Sequence, residues 1–370
     1  MEKKKKIMAG AAGLFLFLVM LLYCSNIEKK PLISTEGQNY EKAVVEVVTK
    51  DNLAEDGNRY GDQEVVLTIK TGELRGNQVE AISPGGNLFG TTCAEGMKVI
   101  AIVSVSGEEN VVTVYAQDRT AAIYAFLAVF ILTVCLIGGK KGVKAIISLA
   151  FTGICILYLL FPMLYRGHSP ILVTIGICVA ATVFTLVFVG GVTKKTAAAI
   201  VGTSSGVAAA GFFALVFGHF AGISGMNVSN IETLNYVGMN TQIQVGELLF
   251  AGIVLSSLGA VMDVGMSLAS TVQELYDTNP AIEKKQLFLS AIHVGQDMMG
   301  TMINTLILAF VGGSLSGLVI NYAYNLSYNQ LMNSYNIGIE IMQGLAGSMG
   351  IVLTVPITAV VAVTLVCGRK

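Results

Sequence analysis

Polar and ionisable side chains recur at helical spacing inside two apolar stretches near the C-terminal end of this chain. The first stretch is Gly246–Ala269, and its polar residues lie three or four positions apart, which places them on one face of a helix. They are Ser256, Gly259, Asp263, Ser267, Ser270 and, just beyond the stretch, Glu274. A carboxylate in an apolar helix usually faces a bundle interior or a water-filled path. Asp263 therefore predicts a site that takes up a proton or an ion.

The second stretch, Gly295–Ile320, opens with a similar polar group, in which Asp297, Thr301, Asn304 and Thr305 share a helical face behind His293. If the two stretches run in opposite directions, Asp263 and Asp297 lie at similar depth. We predict six coupling residues, namely Asp263, Ser267, Glu274, His293, Asp297 and Asn304. Two structural interpretations stay open: Asp297 as a cap at the start of its helix, and Asp263 as a hydrogen-bonding contact between helices.

A third apolar stretch, Gly338–Val366, carries a stripe of small residues and a proline. Gly344, Gly347 and Gly350 are spaced so that another helix can approach closely. Pro356 lacks a backbone N–H, so it is expected to kink or break the helix. We interpret these four residues as packing and kink positions.

These stretches belong to a set of eight apolar segments, each able to supply the roughly 20 residues that cross a bilayer. They are Ile7–Cys24, Ala121–Ile137, Val143–Leu164, Pro170–Val192, Thr196–Gly222, Gly246–Ala269, Gly295–Ile320 and Gly338–Val366. The predicted fold class is an α-helical polytopic membrane protein with eight transmembrane helices. No phosphate-binding glycine loop occurs in a cytoplasmic segment, which disfavours a nucleotide-driven pump.

The basic residues next to these segments predict the topology. With both termini in the cytoplasm, every membrane-flanking basic cluster falls inside, as the positive-inside rule requires. These residues are Lys3 to Lys6, Lys140, Lys141, Lys144, Lys194, Lys195, Lys284, Lys285, Arg369 and Lys370. The short outer loops then hold only Arg166. Residues 25–119 are predicted to be extracytoplasmic.

The N-terminus also resembles a signal peptide, because lysines precede an apolar stretch that ends at Cys24. Leu22 and Tyr23 stand before Cys24, however, and a cleavage site needs small residues there. We therefore interpret residues 1–24 as a basic tail and an uncleaved membrane anchor.

Composition agrees with a membrane protein: 54% of the residues are hydrophobic and 13% are charged, whereas about a quarter are charged in soluble domains. Lysine and arginine sit at segment ends, so we expect the lipid bilayer and no nucleic acid as a partner. The six cysteines form no disulfide framework or metal-ligand spacing. No metal and no cofactor are expected.

Residues 25–119 are the one stretch polar enough to be water-soluble. Residues 25–40 are typical of a linker, and five short strand-like runs follow. These runs are Ala43–Thr49, Glu64–Lys70, Gln78–Ile82, Lys98–Ser106 and Val111–Tyr115. They predict a small all-β barrel of the OB or SH3 kind. Residues 120–370 then form a seven-helix membrane domain.

The same motifs carry a family resemblance. The segments that begin at Gly259, Gly300 and Gly347 resemble the signature segments of the YibE/F family of bacterial multi-pass membrane proteins. They read Gly-Ala-Val-Met-Asp, Gly-Thr-Met-Ile-Asn-Thr-Leu and Gly-Ser-Met-Gly-Ile-Val-Leu-Thr-Val-Pro-Ile-Thr. The resemblance covers residues 40–366 and implies a location in the bacterial plasma membrane, but no activity. One departure is Gln296, where an arginine is expected.

A second resemblance concerns mechanism. The run from Asn304 to Leu315 is similar to a membrane helix of the SecD/SecF translocation proteins and of their resistance-nodulation-division relatives. In those proteins the preceding helix also carries an aspartate, as here with Asp263. This resemblance implies coupling to a proton gradient.

Three functions follow from these observations. The first is a proton- or ion-coupled transporter or exporter for a small solute or ion, which could form a homo-oligomer. The second is a non-transporting scaffold that presents the β domain to a partner. An intramembrane aspartyl protease would need two facing aspartates, but its sequence pairing is missing, so we expect no enzyme.

Overall fold

The computed structural model describes residues 20–24, 32, 35–85, 90–106, 109–228 and 230–368. Most of the chain is helical, and a small β domain precedes the helices. The chain divides into two compact units: Lys30–Leu136, and Ile137–Lys370 with the N-terminal residues. The boundary falls inside a helix, whereas the sequence pattern predicts a domain boundary at residue 119.

The β domain is a closed five-stranded barrel, which confirms the five predicted strands; β1, β3 and β5 extend beyond their predicted ends. The strands are β1 (Gln38–Lys50), β2 (Gln63–Ile69), β3 (Gln78–Ser83), β4 (Lys98–Ser106) and β5 (Glu109–Gln117). The strands are ordered β1-β2-β3-β5-β4, and β4 pairs back with β1, which closes the barrel. Alternate residues such as Val45, Leu67 and Val99 fill the interior, because successive side chains of a strand point to opposite faces.

One polar side chain joins the barrel wall to a loop. Gln63 is buried; its carbonyl oxygen accepts the N–H of Cys93 at 2.7 Å, and its amide donates to Asp51 at 2.8 Å. Arg59 also donates to the Asp51 carboxylate. Both side-chain hydrogen bonds lower the pKa of Asp51, and the bond from Gln63 has the larger effect.

The helices of the remaining chain comprise long apolar elements and short connecting ones. They are α1 (Thr120–Cys155), α2 (Phe161–Tyr165), α3 (Pro170–Gly190), α4 (Lys194–Ala221), α5 (Ile231–Asn240), α6 (Val245–Thr278), α7 (Lys284–Gly313), α8 (Leu315–Ala323), α9 (Tyr328–Met332) and α10 (Tyr335–Cys367). A π-helical turn, Ile156–Leu160, links α1 to α2. Local signals set some ends: the Thr193 hydroxyl accepts the N–H of Thr196 before α4, and Gly222 follows α4 with a φ of 64°.

Within the described residues, six helical runs are long and apolar enough to cross a membrane. The first of them, Thr120–Tyr165, contains 46 residues, so at about 1.5 Å per residue it is roughly twice as long as one crossing requires. Gly139 interrupts it with φ 52° and ψ −133°, between the predicted segments Ala121–Ile137 and Val143–Leu164. The first predicted segment, Ile7–Cys24, lies outside the described residues except for the helical residues 20–24. The count of eight crossings therefore stays a prediction.

The predicted segment Gly295–Ile320 differs from the helix that the structure contains. This helix, α7, begins at Lys284 and ends at Gly313, and a separate helix α8 follows. Asp297 thus lies well inside α7, so the interpretation of Asp297 as a helix cap is wrong. Pro356 also lies within a continuous α10 and does not break it.

The centre of the bundle is the crossing of α4, α6 and α10, where glycines replace side chains. A Cβ at Gly350 would lie 2.7 Å from the carbonyl oxygen of Gly206, and a Cβ at Gly206 would meet the side chains of Thr354 and Val261. The Thr354 hydroxyl donates to the Gly350 carbonyl of its own helix at 2.8 Å, which satisfies it without water. Small residues let helices come this close.

Candidate functional site

Helix α6 is enclosed by its neighbours along all but one narrow strip, which we call the α6 strip. It packs against α3, α4, α7 and α10. Between Val245 and Glu274, the exposed residues of α6 are only Gly252, Ser256, Gly259, Asp263, Ser267 and Glu274. None of them has a large apolar side chain. A helix that faces lipid would be expected to expose apolar residues, as α1 does with Phe126 and Leu136.

Buried or half-buried apolar residues border the α6 strip. Val261, Val264 and Leu268 are fully buried in the central core of the bundle. On the other flank, Met266 is half-buried, and a Cβ at Gly190 of α3 would lie 2.9 Å from its terminal methyl group. The α6 strip is therefore a line of polar groups between apolar walls.

Asp263 is the charged group at the middle of this strip. Among the described residues, no side chain or backbone group forms a hydrogen bond or ion pair with its carboxylate. The neighbouring hydroxyl of Ser256 donates to the carbonyl of Ile253 at 3.1 Å, so it is satisfied within its own helix. Asp263 thus keeps its full capacity to bind a proton or a cation.

The polar residues of α7 lie on a broader exposed face, which we call the α7 face. It contains His293, Gln296, Asp297, Gly300, Thr301, Asn304 and Thr305. Leu289 and Leu308, at 46% and 59% exposure, extend it with apolar surface. The opposite side of α7 packs against α10, where a Cβ at Gly295 would collide with the side chain of Val355.

The two aspartates lie at similar depth in the helix pair. α6 and α7 are joined by the short segment 279–283 and contact each other, as antiparallel neighbours do. At about 1.5 Å per residue, Asp263 and Asp297 are each roughly 20 Å from this turn. No hydrogen bond joins the two described carboxylates. His293 and Glu274 lie nearer the turn, and both are exposed.

The glycines of α10 lie at helix contacts. A Cβ at Gly344 would be 3.5 Å from Ile307 of α7, and one at Gly347 would be 2.8 Å from Leu306. Gly350 faces Gly206 of α4. These positions bring α10 close to α7 and α4. Within the described residues, no three His, Cys, Asp or Glu side chains come together as a metal site would need.

The structure also contains a polar cavity of about 420 Å³ that the sequence pattern did not predict. Its polar lining residues are Ser314, Ser316, Asn321, Asn336, Glu340 and Gln343. It lies at the end of α7 remote from the turn 279–283. The Oε2 atom of Glu340 is buried without a hydrogen-bond partner. The sequence feature that could have indicated this cavity is Glu340 itself, a carboxylate in the second turn of the apolar helix α10.

Comparison with known proteins places this helical region in a family. The family described as YibE/F-like protein matches residues 126–368. That range includes the α6 strip, the α7 face and the cavity at Glu340. No curated protein and no solved structure matches the chain. Because the match covers more than half of the sequence, this chain belongs to the YibE/F family of proteins.

Proposed function

We propose that this protein is a multi-pass transporter or exporter of the bacterial plasma membrane, coupled to protons or to another ion. The observation that carries the proposal is the composition of the α6 strip. Its exposed residues are glycines, serines and acids, and Asp263 lies at its centre with no hydrogen-bond or ion-pair partner in the part of the chain that the structure describes.

The cost of burying charge explains why this strip suits a conducting path. A charged side chain at the bilayer centre costs about 2.5–3.5 kcal/mol on insertion scales, and more in simulations. If the strip faced lipid, insertion of a charged Asp263 side chain would carry a free-energy cost of this kind. Water in a groove along α6 removes the cost, and it also supplies the proton or ion that Asp263 exchanges.

The other predicted residues fit secondary positions on the same path. Ser267 and Glu274 follow Asp263 along the α6 strip towards the turn 279–283. On α7, Asp297 and Asn304 offer further oxygen ligands at similar depth, with His293 nearer the turn. We assign Asp263 the coupling role and these five residues the role of a polar relay.

The orientation belongs to the same proposal. Lys284 and Lys285 begin α7, and Lys194 begins α4, so these helix ends face the cytoplasm under the positive-inside rule. Both chain termini are then cytoplasmic, and residues 25–119 are outside. The end of the α6 strip near Glu274 then lies on the cytoplasmic side.

The test is flux in proteoliposomes that contain a pH-sensitive dye. Purified full-length protein is reconstituted, a gradient of Na⁺ or K⁺ or a panel of small solutes is applied, and the internal pH is followed. We expect a protein-dependent pH change that Asp263→Asn abolishes. Asp277→Asn is the matched control, because Asp277 is an exposed carboxylate beyond the strip, at the end of α6. Absence of any pH change with wild-type protein under every gradient would contradict proton coupling.

A separate observation favours the scaffold as the second candidate. On the barrel surface, Tyr40 and Tyr115 are 52% and 41% exposed, and their rings meet edge to face at 5.4 Å. Exposed aromatic pairs are common anchors for protein partners. If the scaffold is correct, Tyr40→Ser with Tyr115→Ser would abolish function in cells, whereas Asp263→Asn would not.

A further inference from the structure

The cavity at Glu340 is lined by residues of α6, α7, α8 and α10 and is rich in oxygen. Ser314 and Ser316 lie where α7 passes into α8, Asn321 lies on α8, and Asn336 and Gln343 lie on α10. Among the described residues that line the cavity, the Glu340 carboxylate is the one charged group, and none is a lysine, arginine or histidine. Its buried Oε2 atom has no hydrogen-bond partner. A buried acceptor left unpaired is costly, so a donor from a ligand would satisfy it.

A second cavity of about 270 Å³ adjoins the first and differs in chemistry. Its walls include Ile307, Phe310, Val311, Ile341 and Leu345. Leu318, Ile337 and Glu340 line both cavities. The carboxylate therefore stands at the junction between an oxygen-rich space and an apolar one.

We propose that the two cavities form one binding site for an amphiphilic ammonium, meaning a protonated amine carried on an apolar body. The ammonium N–H groups donate to Glu340 and to the amide and hydroxyl oxygens around it, in charge-assisted hydrogen bonds. The apolar body fills the space lined by Phe310 and Leu345. Binding pockets of about 300–1,000 Å³ hold drug-sized ligands, mostly on apolar walls with a few placed polar groups, and the two cavities together fall in this range.

Other ligand classes fit this arrangement less well. An anion would meet the Glu340 carboxylate with no cationic side chain to offset the repulsion. A neutral apolar molecule would leave Oε2 unpaired, and a bare metal ion would leave the apolar space empty. The ammonium has two sources with the same chemistry, a free amine solute or the headgroup of an aminolipid with its hydrocarbon chain.

This site is separate from the proposed coupling residues. Asp263 and Asp297 line neither cavity, and equilibrium binding needs no ion gradient. Failure of ammonium binding would therefore leave the coupling proposal intact, and loss of coupled flux would leave the binding site intact.

The experiment is calorimetric titration of full-length protein in phosphatidylcholine nanodiscs with phenethylammonium chloride. 2-Phenylethanol has the same apolar body without the charge, and sodium chloride supplies a bare cation. We expect heat of binding with phenethylammonium only. Glu340→Gln should weaken that binding roughly tenfold or more, since a hydrogen bond to a charged group is lost. Glu232→Gln is the matched control, because Glu232 is exposed on α5 outside both cavities.

A second variant covers the case in which Glu340→Gln does not fold. Leu345→Trp alters a half-exposed apolar wall, with the side chain 51% exposed, and it should block phenethylammonium while the protein keeps its helical circular dichroism. Equal binding of 2-phenylethanol and phenethylammonium would overturn the proposal, as would unchanged binding in a folded Glu340→Gln or Leu345→Trp variant.

Nanodiscs that contain phosphatidylethanolamine distinguish the two ammonium sources. Competition by this lipid, lost in Glu340→Gln, would assign the site to an aminolipid. Unchanged phenethylammonium affinity in both lipids would assign it to a free amine. If neither phenethylammonium nor phosphatidylethanolamine binds to the wild-type protein, the proposal is overturned.

Discussion

Helices α6 and α7 carry similar polar residues at similar spacing, yet neighbouring helices cover much more of α6 than of α7. The α6 strip is narrow, and its exposed residues are only small or polar ones. The α7 face is broad and mixes Asp297 and Asn304 with exposed Leu289 and Leu308. A polar stripe thus becomes a confined path only when neighbouring helices cover both of its flanks.

Glycines at helix crossings produce this difference. Gly206 and Gly350 let α4 and α10 approach until backbone atoms nearly touch, and Val261 of α6 packs into the same crossing. α6 is therefore surrounded, whereas α7 packs along one side, mainly against α10. Asp263 therefore lies on a narrow exposed strip between packed helices, whereas Asp297 lies on a broad exposed face.

The largest expected effect follows from leucine substitutions at two glycines, one at the crossing of α4 with α6 and α10 and one on the α7 face. A side chain at Gly206 would meet Thr354, Val261 and the carbonyl of Gly350, so Gly206→Leu should destabilise the bundle by about 3 kcal/mol or more. A Cβ at Gly300 on the α7 face would have no neighbouring atom within 4 Å, so Gly300→Leu should change stability by no more than about 1 kcal/mol. Thermal unfolding in detergent, followed by circular dichroism, measures both. Equal destabilisation would show that the helix crossing at Gly206 is packed no more tightly than the α7 face.

The next effect concerns coupled flux. Asp263→Asn keeps the shape of the side chain but cannot exchange a proton, so we expect it to insert, fold and lose coupled pH changes in proteoliposomes. Asp297→Asn should retain part of the flux, because Asp297 lies on the open α7 face. If Asp297→Asn proved the more damaging variant, the path would have to run along α7.

A smaller effect is the rate of cysteine labelling by a charged, water-soluble methanethiosulfonate reagent. If the α6 strip is the proposed path, it holds water, so we expect Ser267→Cys to react faster than Leu308→Cys, which replaces an exposed apolar residue of the α7 face. Val264→Cys, which replaces a fully buried side chain, is the unreactive control. Labelling of the wild-type protein gives the background from its own cysteines. Slow labelling at Ser267→Cys would mean that the strip is dry.

The smallest effect concerns a carboxylate that, unlike Asp263, has hydrogen-bond partners. Hydrogen bonds from Gln63 and Arg59 lower the pKa of Asp51 in the folded barrel. A lowered pKa contributes stability above the unfolded value of about 3.9, and this contribution disappears as the pH falls through the folded pKa. Asp51→Asn should therefore lower the urea midpoint of the barrel slightly at pH 7 and have no effect at strongly acidic pH. A pH-independent difference would show that the carboxylate charge is not the cause.

Local patterns in the sequence were sufficient for several parts of the fold. The bilayer demands long apolar helices, so segments such as Pro170–Val192 and Thr196–Gly222 could be recognised directly and match α3 and α4 closely. In the barrel, runs of β-branched residues separated by turn signals predicted all five strands. The signature segments around Gly259, Gly300 and Gly347 were sufficient for the family.

The helix ends were less predictable, because they depend on polar residues at the membrane border. α7 extends back to Lys284 and stops at Gly313, although apolar composition continues to Ile320. The interruption of helix α1 at Gly139 likewise depends on one backbone conformation with positive φ. A glycine permits this conformation but does not require it.

The sequence by itself determined that this chain is a helical membrane protein with a small barrel and with carboxylates inside apolar helices. Only the tertiary structure decided that Asp263 lies in a confined strip, that Asp297 lies on an open face, and that Glu340 borders two cavities. The reason is physical: helical periodicity fixes which residues share a face, but the exposure of that face depends on which other helices pack beside it. Those contacts form between residues far apart in sequence, such as Gly206 and Gly350.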